Sequence, residues 1–210
     1  MSKVIVFTNL TLDGVMQAPA RPDEDRRGGF EYGGWGAPYA AMTQAGESIA
    51  NMGALLLGRR TYEDFYDVWP KRKDDPISAR LDTLQKYVAS TTLSEPLAWI
   101  NSTLLKGDAA QTVGRLKEEL SKDLVIMGSG DLVQSLMRAN LIDEYVLLIH
   151  PLVLGSGRRL FPEGSAFATL RLVGAKTTNT GVVIATYQPA SPPEGNLWEI
   201  NQSIEAKTEG

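Results

Sequence analysis

The feature that most narrows the choice of fold is an alternation. Short aliphatic runs, each ending in a turn and followed by a helically spaced segment, repeat through residue 149. Residues 4–7, 54–57, 86–90, 97–101, 143–149 and the run before Gly128 read as strands. Several are almost unbroken in apolar character, as strands covered on both faces are. Residues 38–51, 61–69 and 77–84 read as helices, as does a segment capped by Asp108 and running to about Leu120, and one from the Gly-Ser-Gly turn to Arg138. Strands alternating with helices predict an α/β sheet covered on both sides. Two alternating runs at 169–176 and 181–188 then close it with an antiparallel pair, making the sheet mixed. The expected organisation is one domain over residues 1–188, followed by a polar, proline-containing tail over 189–210.

Composition removes several function classes. A net charge of −4 recommends neither nucleic acid nor an anionic membrane as partner. The absence of cysteine excludes disulfides, thiolate metal ligands and a cysteine nucleophile, and the one histidine leaves no metal-ligand set with recognisable spacing. The amino-terminal apolar run is too short for a signal or membrane segment, and no other stretch spans a bilayer. The expectation is a cytoplasmic protein with a small-molecule partner and no metal.

Two junctions carry chemistry. In "ALLLGRRTYEDF" an aliphatic run stops at Gly58, and Arg59, Arg60 and Thr61 follow where a helix begins. Guanidinium groups beside free helix N–H groups suit a phosphate; the alternative is an ordinary solvated strand end. In "VIMGSGDLVQSL" a strand runs into Gly128, Ser129 and Gly130 before a helix, a geometry that suits a pyrophosphate but also serves simply to turn a chain. Val133 stands where a Rossmann fingerprint needs its third glycine. Ser90 and Thr91 follow another strand, and strand carboxyl ends are where α/β sheets bind ligands. Two phosphate sites, one near Arg59 and one near Gly128, would suit a dinucleotide.

Taken together, "TLDGV", "LLGRRTYE", "VAST", "VIMGSGDLVQSL" and "LIDEYVLLIHPLVLGSGRRLF" resemble the dihydrofolate-reductase-like superfamily. The resemblance is to the branch around the carboxy-terminal reductase domain of bifunctional riboflavin-biosynthesis proteins, and it covers residues 3–188. It implies a mixed, mostly parallel sheet of about eight strands with helices on both faces, and NADPH as cofactor. It also implies that Gly58, Arg59, Arg60 and Thr61 hold cofactor phosphates and that Ser90 and Thr91 line the adenosine side. Gly128, Ser129, Gly130, Asp131 and Leu132 would meet the pyrophosphate and nicotinamide edge. Asn9, Leu12, Asp13, Gly14 and Met16 would lie beside the nicotinamide. A homodimer is implied as well, with 145–149 near its interface.

The chain departs from dihydrofolate reductases in one respect. The carboxylate expected on the helix before the GRRT turn would fall at Ala41, Met42 or Thr43, and Glu47 lies nearer the turn. The function expected is therefore an NADPH-dependent reductase of a small heterocycle, pyrimidine-like or pterin-like; the alternative is a nucleotide-binding protein of the same fold without turnover. Asp13 is the candidate proton donor, although its Asp-Gly turn also explains it. Trp35, in the long loop over 19–36, is the candidate substrate-pocket residue. His150 reads as a structural histidine, the run from Asp23 to Asp25 as solvated surface, and "LGSGRRLF" as a simple turn or a dimer contact, the alternative being a loop that binds a substrate phosphate.

Overall fold

The computed structural model describes residues 1–39 and 52–191. Its strands are β1 (Val4–Thr11), β2 (Ala54–Gly58), β3 (Gln85–Ala89), β4 (Ser102–Leu105), β5 (Leu124–Met127), β6 (Glu144–His150), β7 (Leu170–Thr177) and β8 (Val183–Pro189). They form one sheet in the order β4-β3-β2-β5-β1-β6-β8-β7. The first six in that order run parallel, while β8 is antiparallel to β6 and to β7. Among the described residues four α-helices, α1 (Arg59–Val68), α2 (Pro76–Thr83), α3 (Ala109–Glu119) and α4 (Gly130–Arg138), flank it.

The period-two pattern of the central strands sorts the core into two layers. Leu55 and Leu57 of β2 join Val125 and Met127 of β5 against Tyr62 of α1 and Leu81 of α2. Ala54, Leu56, Leu124 and Ile126 point the other way, against Val113 and Leu116 of α3 and Val133 and Leu136 of α4. Both faces are thus covered, which is why these strands are aliphatic at every position. Because β1, β2, β3 and β5 are parallel, their carboxyl ends emerge along one edge.

Two expectations fail in instructive ways. Residues 97–101 are a loop, and the strand lies just beyond, at β4. The segment looked like a strand because Trp99 is buried, but it is buried by a tertiary contact. The Trp99 backbone N–H donates to the Tyr62 hydroxyl at 2.8 Å, its indole N–H donates to Asp82, and Asn101 turns the chain with φ of 56°. Helix α1 begins at Arg59, two residues before the expected Thr61, so both arginines lie in its first turn. Of the helix expected over 38–51, residues 40–51 lie outside the described residues, as do 192–210 of the tail; residues Ala37–Tyr39 form a short 3-10 turn. Among the described residues no helix is long and apolar enough to cross a membrane.

The long loop before that turn is pinned rather than loose. Phe30 and Trp35 pack with Val15 and Ala18 in a small core of their own, and the Trp35 indole N–H donates to the Gln17 carbonyl at 2.7 Å. Gly33 lies so close to this loop's start that a Cβ there would come within 2.7 Å of the Pro22 carbonyl oxygen.

The Tyr62 hydroxyl ties α1 to the loop before β4. Tyr62→Phe leaves the buried Trp99 N–H without its acceptor and should cost about 1–3 kcal/mol, a fall of several degrees in melting temperature. Calorimetry of the two proteins checks this; an unchanged Tm would mean the bond adds nothing.

Candidate nucleotide cleft

The parallel carboxyl ends open into a cleft of about 1520 Å³. That exceeds the roughly 300–1,000 Å³ of a pocket for one drug-sized ligand and leaves room for a dinucleotide beside a second small molecule. Gly58, Arg59, Arg60 and Thr61 line it from the β2–α1 junction, and Gly128, Ser129, Gly130, Asp131 and Leu132 from the β5–α4 junction. Ser90 and Thr91 line it after β3, and Asn9 and Met16 from β1 and the segment after it.

The two junctions are tied by one side chain. Ser129 adopts φ of 59°, left-handed for a non-glycine residue, and its hydroxyl accepts from the Gly58 N–H at 2.9 Å. The same hydroxyl donates to Thr61 Oγ1 at 2.9 Å. A Cβ on Gly128, whose φ is +66°, would lie 3.5 Å from the Thr61 methyl. Both turns therefore face one point.

Capping shows which helix ends are left available. The first turns of α2 and α3 are closed by Asp75 and Asp108, which accept from backbone N–H groups. The first turns of α1 and α4, preceded by Gly58 and Ser129, have no side-chain cap. Two uncapped helix starts of partial positive charge, flanked by Arg59 and Arg60, offer donors suited to an anion. On donor chemistry and close backbone approach the residues fit an NADP-type cofactor.

The comparison with known proteins sharpens this picture. A family model described as the RibD C-terminal domain matches residues 2–184. The chain belongs to the RibD C-terminal domain family. YwjB of Bacillus subtilis (strain 168) is 38% identical over 175 residues, covering 83% of this chain and 91% of that protein. Among solved structures, RibD of Acinetobacter baumannii superposes with a TM-score of 0.62 at 14% identity, over 91% of this chain and 59% of that one. Dihydrofolate reductase of Enterococcus faecalis, complexed with NADP(H), gives 0.58 at 12% identity, over 90% of this chain and 97% of that one. The fold is that of the dihydrofolate-reductase-like reductases.

Within this RibD-type fold several expected site residues lie outside the cleft lining. Leu12, Asp13 and Gly14 are not among the residues lining the cleft. Asp13 is a loop fastener: it accepts from Thr11 Oγ1 at 2.6 Å and from the Leu154 and Gly155 N–H groups, with Arg159 at 3.6 Å. The Thr11 hydroxyl and those amides hold its carboxyl at about 2, so at neutral pH it has no proton to donate. Trp35 is buried beneath the loop, and its neighbours Gly36 and Ala37 line the cleft instead.

Two features were missed in the sequence, and a third was read there only as an alternative. Glu24 and Asp25, read as solvated surface, line the cleft. The Glu24 carboxylate accepts from the Ala20 N–H at 2.7 Å, and burial pushes its pKa up. Next to it, Arg21 clamps the loop to α1 through Asp64, at 2.5 Å. The second arginine loop also belongs to the cleft: Arg158 and Arg159 line it, and the Met16 N–H donates to the Arg158 carbonyl at 2.9 Å. Arg158 reaches across to Asp131 in the first turn of α4. An acidic run and a Gly-Arg-Arg turn carry no local sign of such pairings.

His150 is fully buried, as a structural histidine would be. Its ring lies edge-on to Trp35 and Tyr39, and Nε2 is 2.9 Å from Asn9 Oδ1. Burial pushes its pKa down to about 4. The unfolded chain, with an ordinary histidine near 6.5, binds the proton more readily throughout the interval between those values. Stability is therefore present above about 6.5 and lost as pH falls towards 4, to the extent of about 3 kcal/mol. With a single histidine in the chain, the comparison with His150→Phe isolates this effect. Denaturant melts from pH 7 to 4 should show the unaltered protein losing more stability than the variant, and parallel curves would refute it.

Proposed function

We propose that this chain is an NADPH-dependent reductase acting on a small heterocycle, pyrimidine-like or pterin-like. The observation that carries the proposal is the shared focus of the two uncapped helix starts, joined by Ser129 and flanked by Arg59 and Arg60. That arrangement supplies donors for a pyrophosphate, and the arginines favour the extra phosphate of NADPH over NADH. Membership of the RibD C-terminal domain family and the fold shared with a dihydrofolate reductase that binds NADP(H) support the same reading.

In this reading bound NADPH supplies the hydride. The chain's own residues bind, orient and exclude water. Gly58 and Gly128 let the backbone approach the diphosphate, while Ser90 and Thr91 line the adenosine end. Asn9 and Met16 wall the nicotinamide end, beside which the space bounded by the loop carrying Arg21 and Glu24 receives the substrate. Asp13, ionised and outside the cleft, is not the proton donor in this scheme. A homodimer and a cytoplasmic setting complete the proposal.

Titration with NADPH, followed by thermal shift, provides the test. At a hundredfold excess over Kd the cofactor should stabilise the protein by about 2.7 kcal/mol. At least one of Arg59→Ala and Arg60→Ala should weaken NADPH binding by about tenfold or more, the worth of a lost charge-assisted contact, while NADH binding changes less than threefold. Absence of any shift with NADPH sinks the proposal. Binding with no NADPH oxidation across pyrimidine, pterin and quinone substrates would instead favour a nucleotide-binding protein without turnover.

A further inference from the structure

A reduction that adds a hydride to a ring C=N also needs a proton, and Asp13 has none to give. Among the carboxyl groups lining the cleft, Asp25, Glu63, Asp64 and Asp131 are each committed to a guanidinium group. Asp108 caps α3, and Glu163 is exposed. Glu24 differs from all of these, being half-buried in the cleft wall with no ion-pair partner among the described residues. We propose that Glu24 is the proton donor of the reduction: its Oε1 gives its proton to the ring nitrogen as the neighbouring carbon takes up the hydride. This rests on the reductase reading, in which the space bounded by the loop carrying Arg21 and Glu24 receives the substrate.

The loop's own backbone decides which oxygen carries the proton. Glu24 Oε2 accepts from the Ala20 N–H at 2.7 Å and from the Arg21 N–H at 3.2 Å. Oε1 accepts from no group among the described residues and, unlike His150 Nδ1, is not sealed from solvent. An oxygen that already receives two N–H groups is the poorer place for a proton, so the acid form has its hydrogen on Oε1. Those two amides favour the charged form, but burial outweighs them and the Asp64 charge adds to it. The carboxyl therefore keeps its proton to higher pH than a free glutamate does. The cation acting on it is Arg21, which is engaged by Asp64 at 2.5 Å and Asp23 at 3.4 Å.

The segment on either side of Glu24 is tied down. Before it, Arg21 is fastened to α1 through Asp64. After it, the Gln17 amide donates to the Asp25 carbonyl at 3.2 Å and to the Arg27 carbonyl at 3.0 Å. A donor held this way meets the substrate in one geometry, which is what general acid catalysis needs. In the step, the Glu24 O–H bond breaks and leaves its electron pair on Oε1. The new N–H bond uses the pair released from the C=N bond when the hydride supplied by NADPH joins the carbon. The substrate gains two electrons, NADPH is oxidised to NADP+, and Glu24 recovers its proton from water in the open cleft.

Kinetics with whichever pyrimidine or pterin probe is turned over provide the test. Glu24→Gln keeps an oxygen for the Ala20 and Arg21 N–H groups but has no acidic proton, so kcat should fall about hundredfold. Its NADPH Kd should stay within about threefold of the unaltered protein. A residue that merely shaped the loop would behave otherwise, with Glu24→Gln active and Glu24→Ala impaired. The pH profile gives a second readout: the acid form is present below the raised pKa, so kcat of the unaltered protein falls as pH rises through it. Glu24→Gln should lose that limb. Retained kcat in Glu24→Gln, or an unchanged limb, would overturn the proposal. If the unaltered protein binds or oxidises no NADPH, the reductase reading falls and the donor role with it. Carbon-13 titration of the carboxyls, with the Glu24 signal assigned through Glu24→Gln, separates the two failures. A Glu24 pKa at or below the ordinary glutamate value overturns the donor even in an active reductase.

Discussion

The cleft depends on a hydroxyl. Strands β2 and β5 are neighbours and parallel, which brings Gly58 and Gly128 to one edge, but parallel pairing alone does not fix how the two turns face each other. Ser129 does so, accepting from Gly58 N–H and donating to Thr61 in a single step. It satisfies one of the N–H groups that a helix start leaves unpaired and leaves the others of α1 and α4 uncapped. The left-handed backbone at Ser129 costs about 1 kcal/mol or more, and its two hydrogen bonds are of the size needed to offset that. Strain placed between two glycine turns is what a ligand site looks like when its backbone is aimed rather than merely folded.

A second constraint is electrostatic. The cleft carries many arginines in a chain whose overall charge is negative, and four of the guanidinium groups have a carboxylate within ion-pair distance. Arg21 has Asp64, Arg27 has Asp25, Arg59 has Glu63, and Arg158 has Asp131. Two of these pairs join different elements, and in a solvent-open cleft each contributes little to stability by itself. Their greater effect is geometric. Arg21–Asp64 fastens the long loop to α1, and Arg158–Asp131 fastens the second arginine loop to α4, so three walls share one frame. Arg60, whose ion pair with Asp131 is 4.0 Å long, is the more weakly paired of the two arginines in the first turn of α1.

How much of this was legible in the sequence follows from the range of the interactions. Strands buried on both faces announce themselves in a single strand's composition, and so did β2, β5, β6 and the closing β7–β8 pair. The glycine turns were legible for the same local reason, and with them the Gly58–Thr61 and Gly128–Leu132 walls. Misreadings arose where burial comes from far along the chain. Trp99 is buried by Tyr62, which made a loop look like a strand. Asp13 looked like an acid near the nicotinamide because nothing nearby reveals that the Leu154 and Gly155 amides close on it. Glu24 looked like solvent-facing charge because its burial depends on how the loop folds onto α1.

Keeping an ionisable ring wholly buried is a cost that a phenylalanine would avoid, and the depressed His150 pKa measures it. Packing alone does not explain the choice, since Trp35 and Tyr39 would accommodate a phenyl edge equally well. What a phenyl cannot do is hydrogen-bond the Asn9 oxygen, a contact that joins β6 to β1 beside the cleft. The single histidine of the chain exchanges stability for one fixed hydrogen bond between neighbouring strands. The same exchange, local cost for fixed geometry, is seen at Ser129, whose left-handed backbone is kept for the bonds that join two turns.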